Sequence, residues 1–413
     1  MNFLDIDLQL TDHEREVRDT AHRFAAEVMR PASIALDKLS PDQVIAPASP
    51  MWEVFRKAYK LGFHTNILPA ELGGGGLTPR EQCLVLEEMG WGSADFAIAF
   101  GVASFPYVFA ALWGGPELFE PYVKSFVDDT EAKMIGCWAI TDPEHGSDQL
   151  LVGTPEFTDP RIQPHVRARR DGDQWVISGQ KSAWVSNGTI ATHALTFLGT
   201  DPARGFAGSG VAIVPLDLPG VSKGKPLDKI GQRALNQGEI FFDEVRIPRN
   251  HMMVEPDNFE VIVDAILALA NASMGVTFTG VARAAFEEAL AYTRVRVQGG
   301  KRLCDHQLIQ AKLFEMFTKV EAARALSRAA FLYNTQTLPP RTEYSIAAKT
   351  YCTQAAYDVA SAAVQLHGGY GLSKEYLVEK LFRDARAALI EDGTNEVLGL
   401  HGGRVISARY GEG

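Results

Sequence analysis

From Pro256 onward, apolar residues recur at three- and four-residue spacing through nearly all of the remaining chain, in amphipathic runs around Phe259 to Arg296, Asp305 to Thr335, Thr342 to Leu366 and Tyr376 to Ile390. Four long helices imply a bundle. A different period precedes them. Between about Ile135 and Pro248, short β-type runs alternate with Gly, Pro and Asp: Val166 to Arg169, Trp175 to Ser178, Ala194 to Leu198, Val211 to Pro215 and Gly238 to Phe242. These predict a β-sandwich or barrel, with Leu151 to Pro164 as a long connection able to shape a pocket. Upstream the helical period returns from Thr11 to about Lys133. Thr11-Asp12-His13-Glu14 reads as a capped start, Gly73 to Gly76 as a break, Pro79 to Met89 as a second helix and Ser93 to Ala111 as a buried segment. The expected fold is mainly α with a central β domain: an N-terminal helical domain (1–134), a middle β domain (135–254) and a C-terminal four-helix bundle (255–413).

At 413 residues and 46% hydrophobic content the chain can bury a large core. Acids outnumber bases 51 to 40, which disfavours a nucleic-acid partner. Cys83, Cys137, Cys304 and Cys352 lie far apart without a neighbouring His cluster, so neither a metal site nor a disulfide framework is expected. The acidic N-terminus, Met-Asn-Phe-Leu-Asp-Ile-Asp, lacks the bases of a targeting peptide, and no apolar run is read as a membrane span. A cytoplasmic location is the resulting expectation.

The stretch from Arg383 to Thr394 carries the candidate chemistry: an amphipathic helix runs into adjacent carboxylates, Glu391 and Asp392, followed by Gly393-Thr394. A carboxylate held there can act as a base; alone, the pair reads more readily as solvated charge or helix-end residues.

Five separated motifs, in order along essentially the whole chain, resemble the acyl-CoA dehydrogenase flavoproteins. Trp138-Ala139-Ile140-Thr141-Asp142-Pro143-Glu144-His145-Gly146-Ser147-Asp148 is similar to the family's flavin-binding loop, and its N–H and hydroxyl groups suit flavin carbonyls and pyrophosphate. Gly179 to Asn187 resembles the strand on which Trp184 flanks the isoalloxazine and Ser186 lies beside N5, with one extra residue between Lys181 and Trp184. Lys229-Ile230-Gly231-Gln232-Arg233-Ala234, followed by Phe241 to Pro248, resembles the end of the β domain and reads as structural. In Arg294 to Lys301, Arg296 matches the Arg that reaches a neighbouring subunit's FAD pyrophosphate, where a guanidinium fork suits two oxygens at once. Gln298 and Gly299 depart from the commoner Thr and Phe. Gln365-Leu366-His367-Gly368-Gly369-Tyr370-Gly371 is similar to the segment that completes FAD binding across the subunit contact.

The resemblance implies FAD held by Trp138, Ile140, Thr141, Ser147, Trp184, Ser186, Arg296, Gln365, Gly368, Gly369, Thr394 and Glu396, with Ser147, Asn271 and Gly393 toward an acyl-CoA substrate. It implies a homotetramer or homodimer and electron-transferring flavoprotein as acceptor. In the family a carboxylate takes the α proton while the β hydrogen leaves as hydride to flavin N5. Alignment on Gly393-Thr394 puts Asp392 in the base position, with Glu391, turned about 100° away on a helix, as the competitor. Asp is shorter than the usual Glu by about 1.3–1.5 Å, a change that suits a branched, alicyclic or aryl-substituted acyl group. The distal base of some relatives has no counterpart in Leu269-Ala270-Asn271-Ala272, and Asp95 is read as structural. Two alternatives stand: a flavin oxidase of the nitroalkane oxidase type, although Gly399 replaces the Arg expected seven residues past the Asp, and a non-catalytic DNA-binding relative, which the charge disfavours.

Overall fold

The computed structural model describes residues 10–410; the acidic N-terminal heptapeptide lies outside them. Thr11 starts the first helix, Asp12–Phe24, as its spacing predicts: its hydroxyl accepts from Glu14 N (3.2 Å) while its own N–H donates to the Glu14 carboxylate (2.7 Å). Thr78 and Glu81 repeat this device at the head of Pro79–Gly92. Ser93 then caps Ala94–Trp113, the buried segment foreseen. The glycine run is a loop, and Gly74 passes so close to Leu68 that a Cβ would lie 1.8 Å from its carbonyl oxygen.

Eight strands follow: β1 Gly136–Ala139, β2 Arg167–Asp171, β3 Gln174–Lys181, β4 His193–Gly199, β5 Ser209–Pro215, β6 Val221–Lys223, β7 Ile240–Pro248 and β8 Met252–Val254. They hydrogen-bond in the order β6-β7-β3-β2-β4-β5-β8, with β1 parallel to β4. The five predicted runs are β2, β3, β4, β5 and β7. Strands β1, β6 and β8 span three or four residues each, too short for a period of two to show. One buried cluster gathers Val166, Trp175, Ile177 and Val245; another joins Leu195 and Phe197 to Phe259 and Ile266 of the next helix.

The C-terminal helices are Pro256–Val295, Gln307–Gln336, Thr342–His367 and Leu377–Ala388, and a fifth, Asn395–Tyr410, follows the Gly-Thr turn where the sequence showed no clear period. Pro79–Gly92 packs onto Pro256–Val295 through paired glycines. A Cβ on Gly90 would lie 1.9 Å from Thr277 O, and one on Gly280 2.1 Å from Glu87 O. One expectation fails here: Ala94–Trp113 and Pro256–Val295 are each long and apolar enough to cross a membrane. Both are central helices with most of their apolar stretch buried inside the protein, and a helix covered on several sides carries apolar residues all round.

Candidate active site

The helix leading to the candidate acids ends at Ala388, so neither acid lies on it, contrary to expectation, although Glu391 N still donates to Ala387 O (3.1 Å). Asp392 and Gly393 then take left-handed backbone angles (φ 52° and 90°), turning the chain sharply toward Asn395–Tyr410. Asp is among the few non-glycine residues that occupy this region readily.

Three contacts hold the turn. Thr394 N donates to Ser147 Oγ (3.0 Å), joining the first motif to the Gly393-Thr394 turn. Lys349, buried in Thr342–His367, donates to Gly393 O (2.7 Å) and Asn395 Oδ1 (2.8 Å). Gln232 Nε2 donates to Glu391 Oε1 (2.6 Å). The third motif, read as structural, therefore touches the candidate acids. Gly231 makes this approach possible, since a Cβ there would lie 2.5 Å from the Arg383 backbone.

The two carboxyls keep some surface but are enclosed by protein. Burial pushes Glu391 up to about 7; the Gln232 hydrogen bond opposes this and the Asp392 charge adds to it. Asp392 is also raised by burial, against the pull of Lys349. Burial lowers Lys349 to about 8 although Asp392, Glu391 and Glu396 favour its charge. Lys229, likewise lowered to about 8 by burial, feels the Glu391 charge and donates to Gln237 Oε1 (2.8 Å). Gln237 Nε2 donates to Ser186 Oγ (3.2 Å), so a polar chain runs from the acids toward the second motif.

Thr141 and Ser182 hydroxyls lie 2.7 Å apart, and Lys181 Nζ bonds Ile140 O (2.9 Å) and Asp142 (2.7 Å) in a fully buried ion pair, which clamps the first two motifs together. The extra residue between Lys181 and Trp184 is absorbed in a turn. Trp184 consequently sits on that turn rather than on a strand, and the residue is 58% exposed, with an aromatic side chain of the kind a flavin would cover. Trp138 differs: its ring packs among Phe105, Phe109 and Phe197, as core. Thr394 Oγ1 caps the last helix by accepting from Val397 N (3.3 Å), and Glu396 is exposed in that helix's first turn.

Asn271 does not present a surface to a substrate. It is fully buried, and its amide donates to Leu267 O (2.9 Å) in its own helix. Asp95 is saturated by Ser33, Ser93, Ala234 N and Lys380, consistent with a structural role. Sequence reasoning missed Gln232 and Lys349. A lone lysine inside the apolar run Ile346-Ala347-Ala348-Lys349 was the available signal for the second.

Arg296, Gln365, Gly368 and Gly369 line a separate cleft of about 660 Å³ with Tyr292 and Tyr370, and none of Asp392, Ser147 or Ser186 borders it. The backbone there is open: Gly368 has φ 59°, and a Cβ on Gly368 or Gly369 would meet nothing. An arginine, aromatic rings and accessible peptide groups suit a dinucleotide's phosphates and bases.

Three family models cover the chain: the acyl-CoA dehydrogenase N-terminal domain over residues 11–128, the middle domain over 137–245 and the C-terminal domain over 259–407. The chain belongs to the acyl-CoA dehydrogenase family. It is 32% identical to benzylmalonyl-CoA dehydrogenase of Aromatoleum aromaticum, over 96% of this chain and 98% of that one. It is 30% identical to cyclohexane-1-carbonyl-CoA dehydrogenase of Geobacter metallireducens (94% and 95% covered). Among solved structures, butyryl-CoA dehydrogenase from Megasphaera elsdenii superposes with a TM-score of 0.82 at 28% identity, covering 98% of this chain and all of that one (100%). This acyl-CoA dehydrogenase is thus an FAD-dependent oxidoreductase, and the exposed Trp184 and the cleft of Arg296 and the glycine segment have the chemistry such a cofactor needs.

Proposed function

We propose that the enzyme converts an acyl-CoA with a branched, alicyclic or aryl-substituted acyl group to the α,β-enoyl-CoA, with Asp392 as the base. The supporting observation is the environment of the two acids. Glu391 has one oxygen committed to Gln232, whereas neither oxygen of Asp392 accepts a hydrogen bond among the described residues. A base needs a free lone pair and a proton affinity raised toward neutrality, and the enclosed turn supplies both. FAD, when bound, supplies the hydride-accepting nitrogen. Asp392 takes the α proton, Lys349 holds the turn through Gly393 O, and Ser147 fixes Thr394. The relatives that act on benzylmalonyl-CoA and cyclohexane-1-carbonyl-CoA support the substrate class.

The split of the cofactor residues into two clusters supports a homo-oligomer in which Arg296 and Gln365 serve a neighbour's FAD. Val295 and Val297, which flank Arg296, Leu308, which lines the same cleft, and Leu372, just past the glycine segment, are all exposed and would be covered in that assembly. Electron-transferring flavoprotein is the proposed acceptor and the cytoplasm the proposed compartment.

Anaerobic titration of the yellow holoenzyme with straight, branched, alicyclic and aryl acyl-CoA thioesters tests this reading. Bleaching is expected with the bulkier members, and Asp392→Asn should slow it by about 10²–10⁴-fold. If Asp392→Asn bleaches at the normal rate while Glu391→Gln does not, the base is Glu391. Rapid reoxidation by oxygen with peroxide release would instead select the oxidase.

A further inference from the structure

Glu391 has no task in a proton transfer performed by Asp392, yet its carboxyl is held with unusual care. Its Oε1 accepts from Gln232 Nε2. Gln232 cannot swing aside: its N–H donates to Asp384 Oδ1 (2.5 Å), and its Nε2 also reaches Asp384 O (3.2 Å). Asp384 is itself fixed by Lys380 (2.5 Å), which reaches back to Asp95 (3.3 Å). This buried series sets the direction of one Glu391 oxygen and leaves the other, Oε2, with no partner among the described residues, on a side chain that retains surface beside Asp392. The nearby ammonium groups are engaged elsewhere: Lys349 on Gly393 O and Asn395, Lys229 on Leu235 O and Gln237.

Because the Glu391 side chain keeps some surface, water satisfies Oε2 before substrate enters; an acyl chain that displaces this water must replace its hydrogen bond, and an alkyl group cannot do so. A carboxylate on the ligand would set a further negative charge beside Asp392. A hydroxyl or carbonyl can satisfy the oxygen without that repulsion. Resting on the dehydrogenase reading with Asp392 as base, we propose that Glu391 is a specificity-determining residue whose free oxygen hydrogen-bonds an uncharged hydroxyl or carbonyl group on the acyl chain. The enzyme's acyl-CoA is therefore oxygenated beyond the thioester. Burial of Glu391, which raises its carboxyl to about 7, lets it donate as well as accept near neutral pH.

The test uses two isosteric pairs of CoA thioesters with the holoenzyme under anaerobic conditions: 4-hydroxybutanoyl against pentanoyl, and 3-(4-hydroxyphenyl)propanoyl against 3-(4-methylphenyl)propanoyl. In at least one pair the hydroxyl member should reduce the flavin about tenfold more efficiently, the difference residing mainly in KM. Glu391→Gln should keep most of that preference, and Glu391→Leu should abolish or invert it while still oxidising the methyl member. Calorimetry with the non-reacting thioether analogues should show the same order of affinities. Equal rates within both pairs would overturn the inference and leave the dehydrogenase reading intact; loss of both members in Glu391→Leu with flavin retained would overturn the inference and move the base assignment from Asp392 to Glu391. Failure of every thioester to reduce the wild-type flavin would overturn both.

Discussion

Lys349→Met removes the cation beneath the Gly393 turn while leaving a side chain of similar length. Two hydrogen bonds vanish, to Gly393 O (2.7 Å) and Asn395 Oδ1 (2.8 Å). Each hydrogen bond to a charged group contributes about 1.5–3 kcal/mol, but the variant no longer buries an ammonium, whose desolvation costs several kcal/mol. A net loss of about 1–3 kcal/mol follows from these opposing terms, visible as a lower Tm. The effect on Asp392 is the more diagnostic. Among the described residues Lys349 opposes the burial-driven rise of that carboxyl, and it stays charged below about 8. Without it the carboxyl holds its proton to higher pH. Removing a nearby opposite charge raises a carboxyl pKa by about 1 unit or more, so the acidic limb of the kcat/KM profile should move up by about that amount. At a pH on that limb the variant is then about tenfold slower, with a smaller deficit on the plateau. Glu391 and Glu396 also face Lys349 and would sharpen the same trend. The assay is stopped-flow flavin reduction against pH at sub-saturating acyl-CoA, where the rate reads kcat/KM. A folded, flavin-loaded variant whose limb stays where the wild type's lies would refute the claim that Lys349 tunes the base.

Other consequences are simpler. Glu391 holds its proton in the native state up to about 7, against an ordinary value of 4.5, so stability falls as pH rises between those values and the penalty is complete above the upper one. Glu391→Gln should therefore raise stability at pH 8 by about 2 kcal/mol, discounted for residual solvent contact, and leave it little changed near pH 4.5, as read by chemical denaturation at the two pH values. Gly90→Ala should cost about 3 kcal/mol or more, because its Cβ would sit 1.9 Å from Thr277 O where two helices touch; an unchanged Tm would contradict that packing. Arg296→Ala should weaken FAD retention by about 10–100-fold, measured as the flavin-to-protein ratio after dilution; full retention would remove Arg296 from the cofactor site.

Much of the architecture was legible because it rests on periodicity and local capping. The four long C-terminal helices, five of the eight sheet strands and the capped start at Thr11 need only residues within a few positions of one another. The position of the candidate acids was legible for a similar reason: Gly393 and Thr394 mark the turn within the same short segment. The environment of those acids was not. Gln232 meets Glu391 across 159 positions, Lys349 meets Gly393 across 44, and Ser147 meets Thr394 across 247. Only packing decides such pairings. It turned Lys229 to Ala234 from a structural signature into part of the site, placed Trp184 on an open turn, and buried Asn271 fully within its helix packing. Proton affinity follows the same division, because the kind of ionisable group is written in the chain, whereas desolvation and neighbouring charge exist only once distant segments enclose it.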